Sequence, residues 1–199
     1  MACVPRPHRM FTPNGIYHVF ARGSNREALY SADGDHIAFE ERLGGVVRAY
    51  ELRCAAWVQM TNHYHAILQT PDARLSDALR DLHGGYSRLY CRAHGRDAHV
   101  FKNRFRAVEI ETEAQFLTAM RYLHLNPCRA GLCDSPEAWL WSSYPATIGN
   151  VREPAFLSLE LLLGILGPEP SEAQARYRRF VEAGASELRH VRTLASSLA

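Results

Sequence analysis

Residues 52–69 have the sequence LRCAAWVQMTNHYHAILQ. The two halves, LRCAAWVQM (52–60) and HYHAILQ (63–69), are apolar and rich in strand-forming residues, and Thr61-Asn62 between them is typical of a tight turn. The pattern predicts a β-hairpin, which places His63 and His65 on one strand.

The flanking sequence adds alternating strands and helices. IYHVFAR (16–22) alternates like a strand, and apolar residues at helical spacing predict a helix over 35–50, with Asp33 as a possible cap. A helix over 75–93, with an irregularity at Gly84-Gly85, and a strand over 104–110 complete the set. The order β-α-β-β-α-β predicts a ferredoxin-like α+β fold with an antiparallel sheet.

A further amphipathic helix over 112–126, with Pro127 just past its end, follows this core. The aromatic stretch EAWLWSSY (137–144) is expected to pack back onto the core, and two short helices are predicted over 154–166 and 172–183. We therefore divide the chain into a domain of residues 1–149 and a helical extension of residues 150–199.

Length and composition exclude several classes of protein. The 199 residues are 47% hydrophobic and 22% charged, which is globular rather than disordered. No apolar run is long enough to span a membrane, and the arginines of residues 1–10 precede no apolar segment typical of a signal peptide. The five cysteines form no C-x-x-C pair, so reduced, mostly buried thiols are expected in a cytoplasmic protein.

The charge is uneven along the chain. The formal net charge is only +2, but residues 74–106 hold eight basic residues and three acidic ones. Such a local basic patch is typical of a surface that binds nucleic acid.

The first candidate site is the pair His63 and His65. Side chains two residues apart on a strand face the same side, and two imidazoles so placed can share one divalent metal. Unrelated core or surface histidines would give the same pattern.

The second candidate site is the pair Tyr122 and Asn126. Their i,i+4 spacing puts both on one helix face. Tyrosine is a competent nucleophile and an amide oxygen can ligate a metal, although packing and helix capping also explain such a pair. His124 lies on a different face from Tyr122 and is a poor candidate for its base.

Four ordered blocks within residues 14–145 resemble a known family. They are GIYHV (15–19) with Arg22-Gly23, NHYH (62–65), HVFKNRF (99–105) and RYLHLNPCRAGL (121–132). The second resembles the His-hydrophobic-His motif of single-strand nucleases and transposases, and the last resembles the nucleophile helix of REP-associated tyrosine transposases, where REP means repetitive extragenic palindrome.

The resemblance implies an enzyme of DNA transposition, a metal-dependent single-strand endonuclease and strand transferase. It implies that His63, His65 and Asn126 hold one divalent metal, Mg²⁺ or Mn²⁺, although related insertion-sequence enzymes have glutamine in place of Asn126. Tyr122 is then the nucleophile that forms a 5′-phosphotyrosine link. The implied partner is single-stranded DNA with hairpin, palindromic elements, bound by a monomer or homodimer at the nucleoid.

Basic and aromatic residues are candidates for contacts with DNA. The residues proposed to bind DNA are Arg22, Asn25, Arg88, Arg92, Lys102, Arg104 and Arg106. Tyr86, Tyr90 and Phe101 could stack on unpaired bases, or the two tyrosines could form the buried stripe of a helix. The arginines could equally form a solvated face.

Two other functions remain open. A non-catalytic single-strand-binding regulator derived from a transposase would have no need of the histidine, tyrosine and asparagine set. A small zinc hydrolase would need a further ligand, such as His83, His94 or His99.

Overall fold

The computed structural model describes residues 10–97 and 99–197; Cys3 and the arginines of the first nine residues lie outside this range. The strands are β1 (Ile16–Arg22), β2 (Arg53–Gln59), β3 (His63–Gln69) and β4 (Arg106–Ile110). The helices are α1 (Asp33–Ala49), α2 (Leu75–His94), α3 (Glu113–Arg129), α4 (Tyr144–Thr147), α5 (Glu160–Leu166) and α6 (Pro170–Ser197). The predicted order of elements is confirmed.

The four strands form one antiparallel sheet in the order β2-β3-β1-β4. The β2–β3 hairpin closes where the Met60 amide donates to the His63 carbonyl at 2.8 Å. Strands β1 and β2 lie on either side of β3, which is the split arrangement that the sequence predicts.

Alternation along the strands divides the core between the two faces of the sheet. Tyr64 of β3 faces α1 and α2, where it packs with Phe39 and Tyr86. Ile67 faces the opposite side, where it packs with Met120 of α3. Because His63 and His65 share the parity of Ile67, they lie on the face that α3 covers.

Helix α2 is continuous through Gly84-Gly85, so the predicted irregularity is wrong. Buried Leu82 and Tyr86 anchor the helix on both sides of the glycines. The missing side chain of Gly85 leaves room for the guanidinium group of Arg42 on α1. The glycines therefore serve close packing between helices rather than a kink.

Helix α3 runs through Pro127 to Arg129, past its predicted end at Asn126. The stop signal is Gly131, which has a φ of +74°. Its amide donates to the Cys128 carbonyl at 3.0 Å, and the Leu132 amide donates to the Pro127 carbonyl at 3.0 Å. These two bonds form a Schellman motif, in which a glycine ends the helix.

Helix α1 begins at Asp33, which lies in its first turn rather than at the cap. The carboxylate of Asp35 accepts the amides of Ser31 at 2.7 Å and Ala32 at 3.0 Å. Asp35 thus satisfies backbone donors that precede the helix.

Strand β4 begins at Arg106, so Arg104 lies in the loop before it. The segment 137–144 packs on the core as predicted: the Trp139 indole donates to the Gln59 carbonyl at 2.9 Å, and Tyr144 is fully buried.

Four thiols form no disulfide within the described residues: Cys54, Cys91, Cys128 and Cys133.

The C-terminal helices differ from their predicted bounds. Residues before α5 are extended, because the Ser158 amide donates to the Cys54 carbonyl at the edge of β2. Helix α6 extends well past the predicted end at residue 183, and Gly184 lets it approach Leu125 of α3 closely. None of the described helices is long and apolar enough to cross a membrane.

Candidate active site

A cleft of about 560 Å³ opens between α3 and the sheet face that carries the two histidines. The predicted site residues that line it are Arg22, His63, His65, Lys102, Arg104, Arg106 and Tyr122. The fold thus brings the histidine pair, the tyrosine and four cations together from four separate segments of the chain.

His63 and His65 lie side by side, with ring centroids 5.1 Å apart. Each uses Nδ1 for a contact inside the protein. The Nδ1 of His63 is 2.9 Å from the Asn62 Oδ1, and the Nδ1 of His65 is 2.9 Å from the Nε2 of His18. Both rings therefore keep Nε2 for another partner.

Burial disfavours the charged form of these two imidazoles. It lowers the pKa of His65 to about 3, helped by the neighbouring His18 and His63. The pKa of His63 is also lowered, first by burial and then by the charge of Arg22. A metal binds only the neutral form of imidazole, so burial favours the form of both side chains that a metal requires.

Tyr122 lies at the mouth of the cleft with 38% of its surface exposed. Its ring meets the ring of His65 edge-on, with centroids 6.0 Å apart, and lies 6.1 Å from that of His18. The guanidinium group of Arg129, two turns later on α3, lies over the tyrosine ring at 5.1 Å.

Asn126 follows Tyr122 by one turn of α3 and is only 9% exposed. Its Nδ2 is buried and has no hydrogen-bond partner among the described residues. Because no bond fixes which amide atom points which way, the side chain can present Oδ1 as a ligand. Asn126 is not among the residues that line the cleft, but a buried, unsatisfied amide one turn after Tyr122 is the kind of side chain that could complete a divalent-metal site with the two imidazoles.

The fit depends on this amide oxygen. In the part of the chain that the structure describes, no group of three or more His, Cys, Asp or Glu side chains could hold a metal ion. His83 hydrogen-bonds Tyr64 on the opposite sheet face, and His94 contacts the Asp35 carboxylate at 2.8 Å. Both are therefore too far from the histidine pair to complete a zinc site with it.

His124 lies on a different face of α3 from Tyr122, as predicted. Its Nδ1 is 2.7 Å from the Tyr177 hydroxyl, and its Nε2 is 2.9 Å from the Ser143 hydroxyl. Complete burial lowers its pKa to about 3. It therefore stabilises the contact between α3 and α6.

The cationic wall of the cleft is held by backbone pairing between two loops. The Lys102 amide donates to the Arg22 carbonyl at 2.9 Å, and Gly23 forms a bridge with Phe101. Both cations are exposed, and so is Arg106 on β4, opposite Phe20 of β1.

Three predicted DNA contacts lie outside the cleft lining. Arg88 and Arg92 are exposed on α2, which packs on the other face of the sheet. Asn25 is exposed in a 3-10 turn just after β1, with a φ of +50°.

The predicted stacking aromatics are already engaged. Tyr86 and Tyr90 are buried, and both donate hydrogen bonds to carbonyls of residues 28–29. They form the buried stripe of α2, so base stacking on them is wrong. Phe101 stacks on His83, with centroids 4.0 Å apart.

Sequence reasoning assigned no site role to His18, Asn62 or Arg129. Strand alternation places His18 on the same face as Phe20 and Arg22, which was an available signal. Arg129 is seven residues after Tyr122, which puts both on one helix face. The contact between His18 and His65 depends on strand pairing and was not visible in the sequence.

The fold resembles that of a known transposase structure. A REP-associated tyrosine transposase solved with a REP hairpin superposes with a TM-score of 0.62 at 17% identity, covering 79% of this chain and 93% of that one. A putative transposase from Deinococcus radiodurans R1 gives a TM-score of 0.42 at 20% identity, covering 59% of this chain and 95% of that one. No curated protein matches the sequence.

The sequence itself identifies the family. Residues 12–126, more than half of the chain, match the model of the IS200-like transposases, and this stretch contains β1 to β4, both cleft histidines, Tyr122 and Asn126. The chain belongs to the IS200-like transposase family.

Proposed function

We propose that this transposase cleaves and rejoins single-stranded DNA beside hairpin elements, with Tyr122 as the nucleophile. The observation that carries the proposal is the exposed Tyr122 ring, set edge-on against His65 in a cleft walled by cations. The partly exposed tyrosine, the imidazoles that could bind a metal and the cations that could bind phosphate therefore all line one cleft.

The proposed step exchanges one phosphoester for another. The Tyr122 oxygen attacks phosphorus in line, a Tyr–O–P bond forms, and the P–O3′ bond breaks. The phenol proton passes to water, and the departing strand takes a proton to end in a 3′-OH. The 5′-phosphotyrosine preserves the ester bond, so a second 3′-OH can reverse the step and rejoin strands.

His63 and His65, through their Nε2 atoms, and Asn126, through Oδ1, are the residues that would hold Mg²⁺ or Mn²⁺. Both Mg²⁺ and Mn²⁺ favour oxygen ligands, which the Asn126 amide would supply, whereas imidazoles alone would equally suit Zn²⁺. A bound divalent ion would neutralise charge that develops on a non-bridging phosphate oxygen. Burial lowers the pKa of both imidazoles and so favours the neutral form that binds a metal, which supports this assignment.

Cleft cations would hold the strand. Arg22, Lys102 and Arg106 reach into the cleft, and neutralising phosphates there would fix the scissile bond near Tyr122. The similar REP-associated transposase was solved with a REP hairpin, which supports hairpin DNA as the partner of this chain too.

A covalent-adduct assay tests the proposal. Labelled single strands covering palindromes next to this gene are incubated with Mn²⁺ or with chelator and resolved on a denaturing gel. Wild type should form a metal-dependent adduct and Tyr122→Phe none, while Tyr50→Phe, a matched control whose hydroxyl bonds Asp81 away from the cleft, should react like wild type. Hairpin binding without any adduct would overturn the catalytic proposal and favour the regulator.

A further inference from the structure

His18, on β1, contacts both halves of the proposed centre. Its Nε2 lies 2.9 Å from the Nδ1 of His65, with ring centroids 5.0 Å apart, and its ring lies 6.1 Å from that of Tyr122. Half-buried between Ile16 and Phe20 on the same sheet face, it stands where α3 meets the histidine pair.

The hydrogen bond between two neutral imidazoles needs one donor and one acceptor. If His65 carries its proton on Nδ1, it donates to the Nε2 of His18 and keeps a lone pair on its own Nε2. If His18 donates instead, the proton of His65 sits on Nε2, where it blocks a metal. The direction of this single bond therefore decides whether His65 can be a ligand.

His63 shows the same arrangement with an unambiguous partner. Asn62 donates from Nδ2 to the Arg26 carbonyl at 3.1 Å, so its Oδ1 is the atom that faces the Nδ1 of His63. An amide oxygen only accepts, and His63 must hold its proton on Nδ1. Both histidines thus have a hydrogen-bond partner at Nδ1, and neither Nε2 has a partner among the described residues.

We propose that His18 is a positioning residue that accepts the Nδ1 proton of His65, and so fixes both the orientation and the tautomer of that ring for metal binding. The inference rests on the proposed function, because it concerns the same metal site. A hydrogen-bonded partner behind a ligating imidazole sets its tautomer and raises its basicity, and removing such a partner weakens metal affinity by about 10- to 100-fold.

The test compares His18→Phe, which keeps a flat ring without an acceptor, with His18→Gln, which restores an acceptor oxygen. Binding of Mn²⁺ alone to the full chain is measured from the electron paramagnetic resonance signal of the free ion. Long-range ¹⁵N–¹H correlations on the metal-free protein report which nitrogen of His65 carries the proton. His63→Ala shows whether the ion binds at the proposed site.

The expected result is a loss of about tenfold or more in Mn²⁺ affinity for His18→Phe and partial recovery in His18→Gln. In the same samples, the Nδ1–H form of His65 should dominate in wild type and decline in His18→Phe. Dispersed backbone amide signals, recorded on the same samples, show whether each variant has retained its fold.

Two outcomes overturn the inference alone. Wild-type affinity in His18→Phe, while His63→Ala has lost binding, would show that His65 needs no partner. A loss of affinity with the tautomer of His65 unchanged would make His18 a direct ligand. If His63→Ala binds Mn²⁺ as wild type does, the proposed metal site itself fails.

Discussion

The rings of Tyr122 and His65 meet edge-on at an interplanar angle of 89°, with the tyrosine on the solvent side of the histidine. Met120 and Leu123 anchor α3 to the sheet on either side of Tyr122, so the tyrosine lies at the border of this contact. His65 is 7% exposed and Tyr122 is 38% exposed. A DNA strand that enters the cleft would therefore reach Tyr122 before the deeper His65.

Asn126 leads to a prediction that separates function from stability. Its buried Nδ2 has no partner in the described residues, and an unsatisfied buried polar group costs about 1–3 kcal/mol. Replacing it with leucine, of similar volume, should raise the free energy of unfolding in urea by about 1 kcal/mol. The same change should abolish metal-dependent adduct formation, because no amide oxygen remains.

The matched control for this prediction is Tyr122→Phe, which should also lose the adduct but gain little stability, since its side chain is partly exposed. If Asn126→Leu unfolds at lower urea concentration than wild type, the amide stabilises the core, and its unpaired state does not indicate a metal ligand.

The predicted DNA contacts fall into two groups that salt can distinguish. Lys102 and Arg106 line the cleft, whereas Arg88 and Arg92 lie on α2 across the sheet. For single strands, the slope of log affinity against log salt concentration becomes shallower by about 0.7 for each phosphate that the protein no longer neutralises. We expect that change for Lys102→Ala and Arg106→Ala, measured by fluorescence anisotropy with a labelled strand.

Arg88→Ala and Arg92→Ala serve as the comparison on the other face, and little change in slope is expected for them. Equal effects from both groups would mean that the bound DNA wraps around α2 as well, which would favour the sequence-based assignment of all these residues to DNA binding.

Local patterns predicted most of the fold, because they arise within single elements. The alternation of IYHVFAR and the 52–69 hairpin predicted the strands, and the shared parity of His63 and His65 predicted their common face. The contacts that were not visible in the sequence are between elements. The His18–His65 bond depends on the register of β1 against β3, and the continuity of α2 depends on how Gly85 packs against Arg42.

The predicted end of α3 was wrong because a contact outside the predicted helix decides it. Pro127 predicted the end, yet the helix continues past it to the turn at Gly131. Tyr86 and Tyr90 fit a DNA-binding surface by type, but their spacing of four residues equally fits the buried side of a helix, and burial decided the matter.

His83 predicts a pH dependence of stability. Burial lowers its pKa to about 4, below the ordinary value of 6.5. Between these values the unfolded chain binds a proton that the folded chain does not, so stability falls as pH decreases from 6.5 to 4. In His83→Gln this acid-induced loss of stability should disappear; it amounts to at most about 3 kcal/mol.

The measurement is urea unfolding at several pH values spanning the two pKa values of His83. Other buried histidines contribute to both proteins, so the difference between the two curves isolates His83. His99→Gln, which replaces an exposed ring, is the control and should follow wild type. Parallel curves for wild type and His83→Gln would contradict the prediction.

Because α5 and α6 pack on α3, we expect that a chain truncated after residue 150 does not fold stably. Leu162 of α5 and Tyr177 and Val181 of α6 are 1% exposed or less and pack with α3 in one apolar cluster. Each fully buried side chain contributes about 1.5–3 kcal/mol, so their joint loss approaches the whole stability of a typical domain, about 5–15 kcal/mol.

Two changes test this dependence. A chain of residues 1–150 should lose its near-ultraviolet circular dichroism and its cooperative thermal unfolding. In the full chain, Leu162→Ala should lower the free energy of unfolding by about 2–5 kcal/mol, whereas Leu140→Ala, at a side chain that is 75% exposed, should change it by less than about 0.5 kcal/mol. Cooperative unfolding of the truncated chain would show instead that residues 1–149 are an independent domain, as the sequence suggested, and that α5 and α6 only rest on its surface.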